Sequence, residues 1–299
     1  MTRREPDAPP ADLDLPGQRS ASAAVLRARA ARLYGWLSAS PVGLALVVAF
    51  FVLALLGPVV APYDPRAIDL AHEYAAPSLR HLLGTGDNGI DLLSAVLYGA
   101  RLAAVVGVSV VGISLAIGVS LGALAGYAGG LTDHLVTGFA DLVQAFPAIV
   151  LNIAILALVA EPGVEHVILA LAANGWVLYA RIARAQTLTL RERDFIDATR
   201  ALGFRPSRTV IRHILPNLAA PIVVQATAGF GAVVLAEATL SFLGLGPGKS
   251  VSWGALLDQG TAVLLRFPHV ALVAGAAIAA TVFGFNLTGD WLRDRLDPR

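Results

Sequence analysis

Five stretches of this chain contain no Asp, Glu, Lys or Arg: between Arg32 and Asp64, Arg101 and Asp133, Asp141 and Glu161, His213 and Glu237, and Arg266 and Asp290. A helix rises 1.5 Å per residue and a hydrocarbon core is about 30 Å thick, so about 20 apolar residues cross it. Each stretch is long enough. A sixth, Val167 to Ala180, is shorter and ends in Arg181. It reaches spanning length with His166 and with the apolar stems of Arg181 or Arg184, whose charged heads can snorkel to the interface. Strands of a membrane barrel alternate in polarity over about ten residues; these runs do not. The expected fold is all-α, a polytopic membrane protein of six transmembrane helices. Composition agrees: of 299 residues, 56 % are hydrophobic and 14 % charged, against roughly 25 % charged in a soluble domain.

Charge placement sets the expected orientation. Arg3, Arg4, Arg19, Arg27, Arg29 and Arg32 precede the first span, and Arg181 to Arg212 follow the fourth. Arg293, Arg295 and Arg299 close the chain. The other side holds Arg66, Arg80, Lys249 and Arg266, with Arg101 at a boundary. Positive residues mark the cytoplasmic side, so both termini are expected inside, as an even number of spans also requires. Val59-Val60-Ala61 is a weak match to a signal-peptide cleavage site, but the apolar run is too long and starts too late. The net charge of +1 gives no basic field for nucleic acid. The absence of cysteine removes thiol chemistry and Cys-ligated metals.

The expected organisation is a cytoplasmic tail 1–40, a first helix 41–62 and an external segment 63–100. A five-helix core 101–290 follows, containing an internal loop 184–216 and an external segment 241–265, then a C-terminus 291–299. Gly129 to Asp133 reads as a short internal loop. Within the long internal loop the spacing predicts a helix from Arg191 to Phe204. Phe195, Ala198 and Leu202 share one face, while Arg193, Asp197 and Arg200 share another, where opposite charges can pair. Gly203 reads as its stop, and Pro206 breaks the chain before a second amphipathic stretch ending at Leu215-Pro216. Such a helix either floats on headgroups or docks a cytoplasmic partner; periodicity leaves both open.

Asp197-Ala198-Thr199, three residues, Gly203, then Leu215-Pro216 resembles the EAA loop of ATP-binding-cassette (ABC) importer permeases. The acid here is Asp rather than Glu, Thr199 replaces the second Ala, and His213 stands at the Ile position with Ile214 beside it. Further motifs are His81-Leu82-Leu83-Gly84-Thr85, Asp87-Asn88-Gly89, Leu97-Tyr98-Gly99-Ala100-Arg101, Ala145-Phe146-Pro147 and Arg212 to Asn217. To these are added Leu240 to Gly246, Ser252-Trp253-Gly254 and Asn286 to Asp290. Together they resemble the dipeptide/oligopeptide/nickel permease family, specifically its C-type subunit, from about residue 40 to the end. Gly86 and Ile90 depart from it, where the family usually has Asp and Arg. The resemblance implies a transmembrane subunit of an importer for peptides or related solutes. It implies a homologous second permease, two cytoplasmic ATPase subunits that bind the ATP and Mg, and an external solute-binding protein. In that setting Arg193, Phe195, Asp197, Ala198, Arg200, Leu202, Gly203, Leu215 and Pro216 would couple this chain to the ATPases.

Other patterns are weaker. Gly118-Val119-Ser120-Leu121-Gly122 matches a nucleophile elbow, for which His269 is weighed as the partner an intramembrane serine protease would require. Ser120 lies roughly 28 Å inward from Arg101, whereas His269 sits at the opposite surface. Gly118, Gly122 and Gly126 instead have the spacing of closely packed membrane helices. Gly248-Lys249-Ser250 ends like a phosphate-binding loop but has Leu243 where the first Gly must stand. The six His show no metal-ligand spacing, so no bound metal or cofactor is expected. The sequon Asn286-Leu287-Thr288 falls inside the sixth span. Gln144, Asn152 and Gln225 are uncharged polar residues within spans, where such groups line a pathway or bond across helices. Asp141 and Glu237 fall near boundaries. The chain thus reads as a permease without a nucleotide or catalytic site, with a channel or ion-coupled secondary transporter as the alternative.

Overall fold

The computed structural model describes residues 41–248 and 250–296. The expected tail 1–40, Lys249 and the last three residues lie outside the described residues. Ten α-helices are described: α1 Val42–Val60, α2 Leu92–Ala128, α3 Gly130–Gln144, α4 Ala148–Leu156, α5 Val164–Arg191, α6 Asp194–Ala201, α7 Pro206–Thr209, α8 Ala219–Phe242, α9 Trp253–Ala262 and α10 Pro268–Leu296. Among the described residues there is no strand. The helices α1, α2, α5 and α10, and the run Pro206–Phe242 ending in α8, are each long and apolar enough to cross a membrane. The pair α3–α4 makes a sixth span if it is counted as one.

Three boundaries differ from the sequence reading. Helix α2 starts at Leu92, well ahead of Arg101, because Asp91 caps it: the Asp91 carboxylate accepts from the Ser94 amide at 2.8 Å. Arg101 is therefore a helical residue on an exposed face. The expected loop 129–133 shrinks to one break. Gly129 takes φ +65° and helix resumes at Gly130, a left-handed conformation that glycine adopts without a Cβ penalty. The third span is bent by 80° between α3 and α4. Pro147 causes this: a proline drives the residue before it out of the helical region and offers no amide to the preceding turn.

Successive spans alternate in direction. One end of the bundle collects residues 61–91, 157–163 and 243–267; the other collects Gly129, residues 192–218 and the end of α10. Helices α2 and α5 form the tightest contact. A Cβ at Gly118, Gly122 or Gly126 would fall under 3.0 Å from the backbone carbonyl oxygens of Trp176, Ala180 and Arg184 respectively. Both series step by four residues, so one helical ridge seats in one groove. Above this stripe Leu102, Val106 and Val110 pack with Val167, Leu171 and Leu240.

Helix α1 joins the bundle through aromatic rings. Phe50 meets Phe230, Phe285 and Trp253 edge-on at 5.9, 5.7 and 6.2 Å between centroids, and Phe230 stacks on Phe285 at 4.2 Å. Gly107 leaves the space that the Phe230 ring fills, and Gly99 does the same for the Trp253 indole. Trp253 then donates Nε1–H to the Val96 carbonyl at 2.9 Å. Two motifs far apart in sequence, Tyr98-Gly99-Ala100 and Ser252-Trp253-Gly254, are thus one contact. The segment 61–91 is held against the start of α10: Tyr74 stacks on Phe267 at 4.7 Å, and His269 donates Nε2–H to the Thr85 carbonyl at 3.1 Å.

Candidate functional site

The loop between α5 and α8 is the first candidate. Its helix α6 is shorter than the periodicity predicts, because both ends are fixed. Arg193, with extended backbone, starts it. At the far end the Gly203 amide bonds to the Arg200 carbonyl at 2.9 Å and the Phe204 amide to the Thr199 carbonyl at 3.1 Å. With Gly203 at φ +71° this is the paired-bond termination that requires a left-handed residue. Nothing lies within 4 Å of a Cβ placed at Gly203, so the glycine is needed for its backbone angle and not for space.

The face of α6 that meets the bundle is a different one from the stripe Phe195, Ala198 and Leu202. Ile196 is fully buried and Thr199 nearly so. Ile196 packs with Ile214, Leu218, Ala123, Tyr179 and Ala183, and the Thr199 hydroxyl donates to the Ile196 carbonyl at 2.7 Å. Phe195, Ala198 and Leu202 point outward; Leu202 is 72 % exposed. This is the stripe that sequence periodicity picks out, and it is left free of the bundle. The anchor Ile196–Thr199 was missed because two residues one turn apart give a weak periodic signal in an eight-residue helix. On the remaining face Arg200 pairs with Asp197 at 2.9 Å, and Arg193 is exposed. Near Gly203, Arg208 lies over the Phe204 ring at 4.3 Å.

Pro206 opens α7 at its first turn, where its missing amide costs nothing. A wider π turn over Val210–Ile214 and a 3₁₀ turn over Leu215–Leu218 carry the chain into α8. Ile214 and Leu218 are buried, Leu215 is half-buried and Pro216 exposed. The loop is therefore bolted to α2 and α5 on one side and presents bare apolar and charged groups on the other.

The second candidate is a cavity of about 680 Å³ bounded by α2, the α3–α4 bend, α5 and α8. Gln144 and Asn152 line it; Gln225 does not. Asn152 is buried, and Asn174 donates to its carbonyl oxygen at 2.6 Å. Sequence reasoning did not single out Asn174, whose partner lies on another helix. Ser114, Thr239 and Tyr179 complete the polar lining. No charged side chain lines this cavity, so it offers hydrogen bonds without fixed charge.

Charges elsewhere in the spans are matched. Arg184 forks onto Asp133 at 2.5 and 2.6 Å, and Arg181 meets Asp141 at 2.7 Å. These pairs tie α3 to α5 in an antiparallel ladder, so the two arginines have protein partners as well as long stems. Glu237 is buried and accepts from the Ser241 hydroxyl at 2.7 Å. Ser120 is exposed on α2, whereas His269 sits at the start of α10 bonded to Thr85, at the other end of the bundle. These two residues form no dyad. The described residues contain no group of three His, Cys, Asp or Glu able to hold a metal ion.

Outside the spans one carboxylate stands out. Asp69 is held below the usual carboxylate range, first by its hydrogen bond from His72 at 2.8 Å, against the opposing effect of burial.

Residues 118–299 match the family described as binding-protein-dependent transport system inner membrane component, and residues 40–77 match the N-terminal transmembrane domain of oligopeptide transport permease C. The chain is 38 % identical to the dipeptide transport system permease protein DppC of Alkalihalophilus pseudofirmus, over 86 % of this chain and 85 % of that one. It is 36 % identical to the oligopeptide transport system permease protein OppC of Bacillus subtilis, with the same coverage. It is 40 % identical to the glutathione transport system permease protein GsiD of Shigella dysenteriae, over 85 % of this chain and 84 % of that one.

Proposed function

The chain belongs to the family of binding-protein-dependent transport inner membrane components and is a multi-pass permease subunit of an ABC importer, and from that premise we propose that it carries peptides inward by coupling through α6. It is a transport component and not an enzyme. The peptide assignment rests on relatives named for dipeptide, oligopeptide and glutathione transport. The 680 Å³ cavity supports it, because amide and hydroxyl groups suit a peptide backbone.

One observation carries the coupling role. Helix α6 is fixed to the bundle by Ile196 and Thr199 while Phe195, Ala198 and Leu202 stay bare. An apolar face left open on a short charged loop suits an interface with another protein. In this reading the loop and both termini face the cytoplasm, in keeping with the arginines of 181–212. Each of two ATPase subunits binds ATP and Mg, and one of them grips Phe195 and Leu202. Arg193, Asp197 and Arg200 set the register, and Gly203, Leu215 and Pro216 hold the loop's exit. A homologous second permease completes the pathway and an external binding protein delivers the solute. When the ATPases close, α6 moves with them. Ile196 and Ile214 pass that motion to α2 and α5, shifting the bundle between two states.

The test is a Phe195→Asp, Leu202→Asp double variant in the assembled importer. Uptake and solute-stimulated ATP hydrolysis should fall together while membrane insertion is unchanged. Unaltered uptake would remove the coupling role. Labelling of a cysteine placed at Ala198 from the external side of intact cells would reverse the orientation.

A further inference from the structure

At the Trp253 end of the bundle two cationic side chains line one small cavity. Arg66 comes from the segment after α1 and Arg101 from the third turn of α2, and both border a space of about 300 Å³. Tyr98 and Ser250 supply hydroxyls there, and Leu102, Val105, Val164 and Val251 supply an apolar wall. A neighbouring space of about 530 Å³ shares Arg66, Ser250 and Val251 and runs along the start of α9, past Ser252 and Gln259. Arg101 takes part in none of the described ion pairs. Neither Arg66 nor Arg101 belongs to the coupling loop or to the polar cavity.

The geometry points to an oxyanion site: we propose that Arg66 and Arg101 receive the terminal carboxylate of a transported peptide as it enters the bundle. A planar guanidinium presents paired N–H donors that match the two oxygens of a carboxylate. Such a bond is strong where part of the surroundings is apolar, as Leu102, Val105 and Val164 make them here. The smaller space suits one terminal residue, since ligand pockets begin at about 300 Å³. The larger space continues past Ser252 and Gln259 and leaves room for the rest of the solute; a lipid headgroup offers the same oxyanion chemistry, and vesicle composition separates the two sources below. No atoms or electrons are exchanged; the step is binding alone. This inference rests on the peptide reading above.

The test uses the assembled importer in vesicles, with its loaded binding protein in excess and two probes, Ala-Ala-Ala and its C-terminal amide. Arg101→Gln and Arg66→Gln should each lower the initial uptake of Ala-Ala-Ala about tenfold and leave uptake of the amide at the wild-type rate. Arg101→Lys keeps the charge without the paired donors, so its uptake of Ala-Ala-Ala should fall between the wild type and Arg101→Gln, which separates lost charge from lost folding. Equal losses for both probes, or no loss, would overturn the site. A loss seen in vesicles containing phosphatidylglycerol but absent in pure phosphatidylcholine would assign the arginines to lipid and overturn it as well. A second readout is independent of transport: magnetisation transfer from the full complex to acetate should disappear in Arg101→Gln. If that transfer is lost while the wild type imports neither peptide, the oxyanion site stands and the peptide reading falls. If acetate is unaffected, the site falls whatever is transported.

Discussion

The α2–α5 contact makes an unusually clean prediction, because one helix contains both a forbidden and a permitted place for a methyl group. At Gly122 a Cβ would meet the Ala180 carbonyl oxygen, its carbon at 2.8 Å and the Cα at 2.9 Å. All three are backbone atoms, so no side chain can turn aside, and helix α5 itself must retreat. At Gly112, ten residues earlier on the same helix, nothing lies within 4 Å. Replacing glycine by alanine inside a helix gains about 1 kcal/mol of helix propensity at either site. Overpacking at Gly122 costs about 1–3 kcal/mol against that gain. The propensity contribution is common to both variants, so the difference between them isolates the helix–helix contact. Gly112→Ala should be stabilised and Gly122→Ala should be less stable than it by about 1–3 kcal/mol. The assay is denaturant unfolding of the purified chain in detergent, followed by tryptophan fluorescence, since Trp176 lies at the contact. A difference below about 0.5 kcal/mol, the range of ordinary surface substitutions, would refute the argument that carbonyl contacts set the spacing of these helices.

Three further outcomes follow from the same structure. Trp253→Phe keeps the ring but leaves the Val96 carbonyl without its donor; it should cost about 1–3 kcal/mol by the same unfolding assay. Reversing Asp133 to Arg should weaken the α3–α5 contact, and adding Arg184→Asp should restore part of it; a double-mutant cycle with no coupling would show the pair to be idle. Asp69 has a carboxyl pKa lowered in the fold chiefly by the His72 hydrogen bond. Its contribution is present above the ordinary carboxylate value of about 3.9 and is lost as pH falls through the lowered folded value. Limited proteolysis of 65–90 should accelerate below about pH 4, and Asp69→Asn should abolish that dependence.

Much of the architecture was readable from residues alone. Runs free of charge fix where helices can cross, since a bilayer offers no partner for an unpaired charge. Pro147 and Gly129 fix where the third span bends and begins. The bend itself was not foreseen, because a charge-free run looks continuous whether or not a proline breaks it. The cap at Asp91 escapes the charge pattern for a related reason: Arg101 reads as the boundary, although an arginine two or three turns inside a helix can reach the interface. The loop between α5 and α8 is the most instructive case. Asp197, Gly203 and Leu215-Pro216 were visible as a pattern with fixed spacing, and Gly203 does terminate α6 by its positive φ.

What the chain order alone determined is local: which segments are apolar enough to span, where backbone angles demand glycine or proline, and which motifs stand in which loop. What only the tertiary structure decided is which side of each element is covered. Helix α6 has two faces able to enter a core, and it is Ile196, not Phe195 or Leu202, that joins the cluster containing Ile214, Tyr179 and Ala183. Asn152 found Asn174, and Gly99 received Trp253, through contacts between residues distant in sequence. Burial is a property of neighbours, and neighbours are set by how helices cross rather than by what each helix contains.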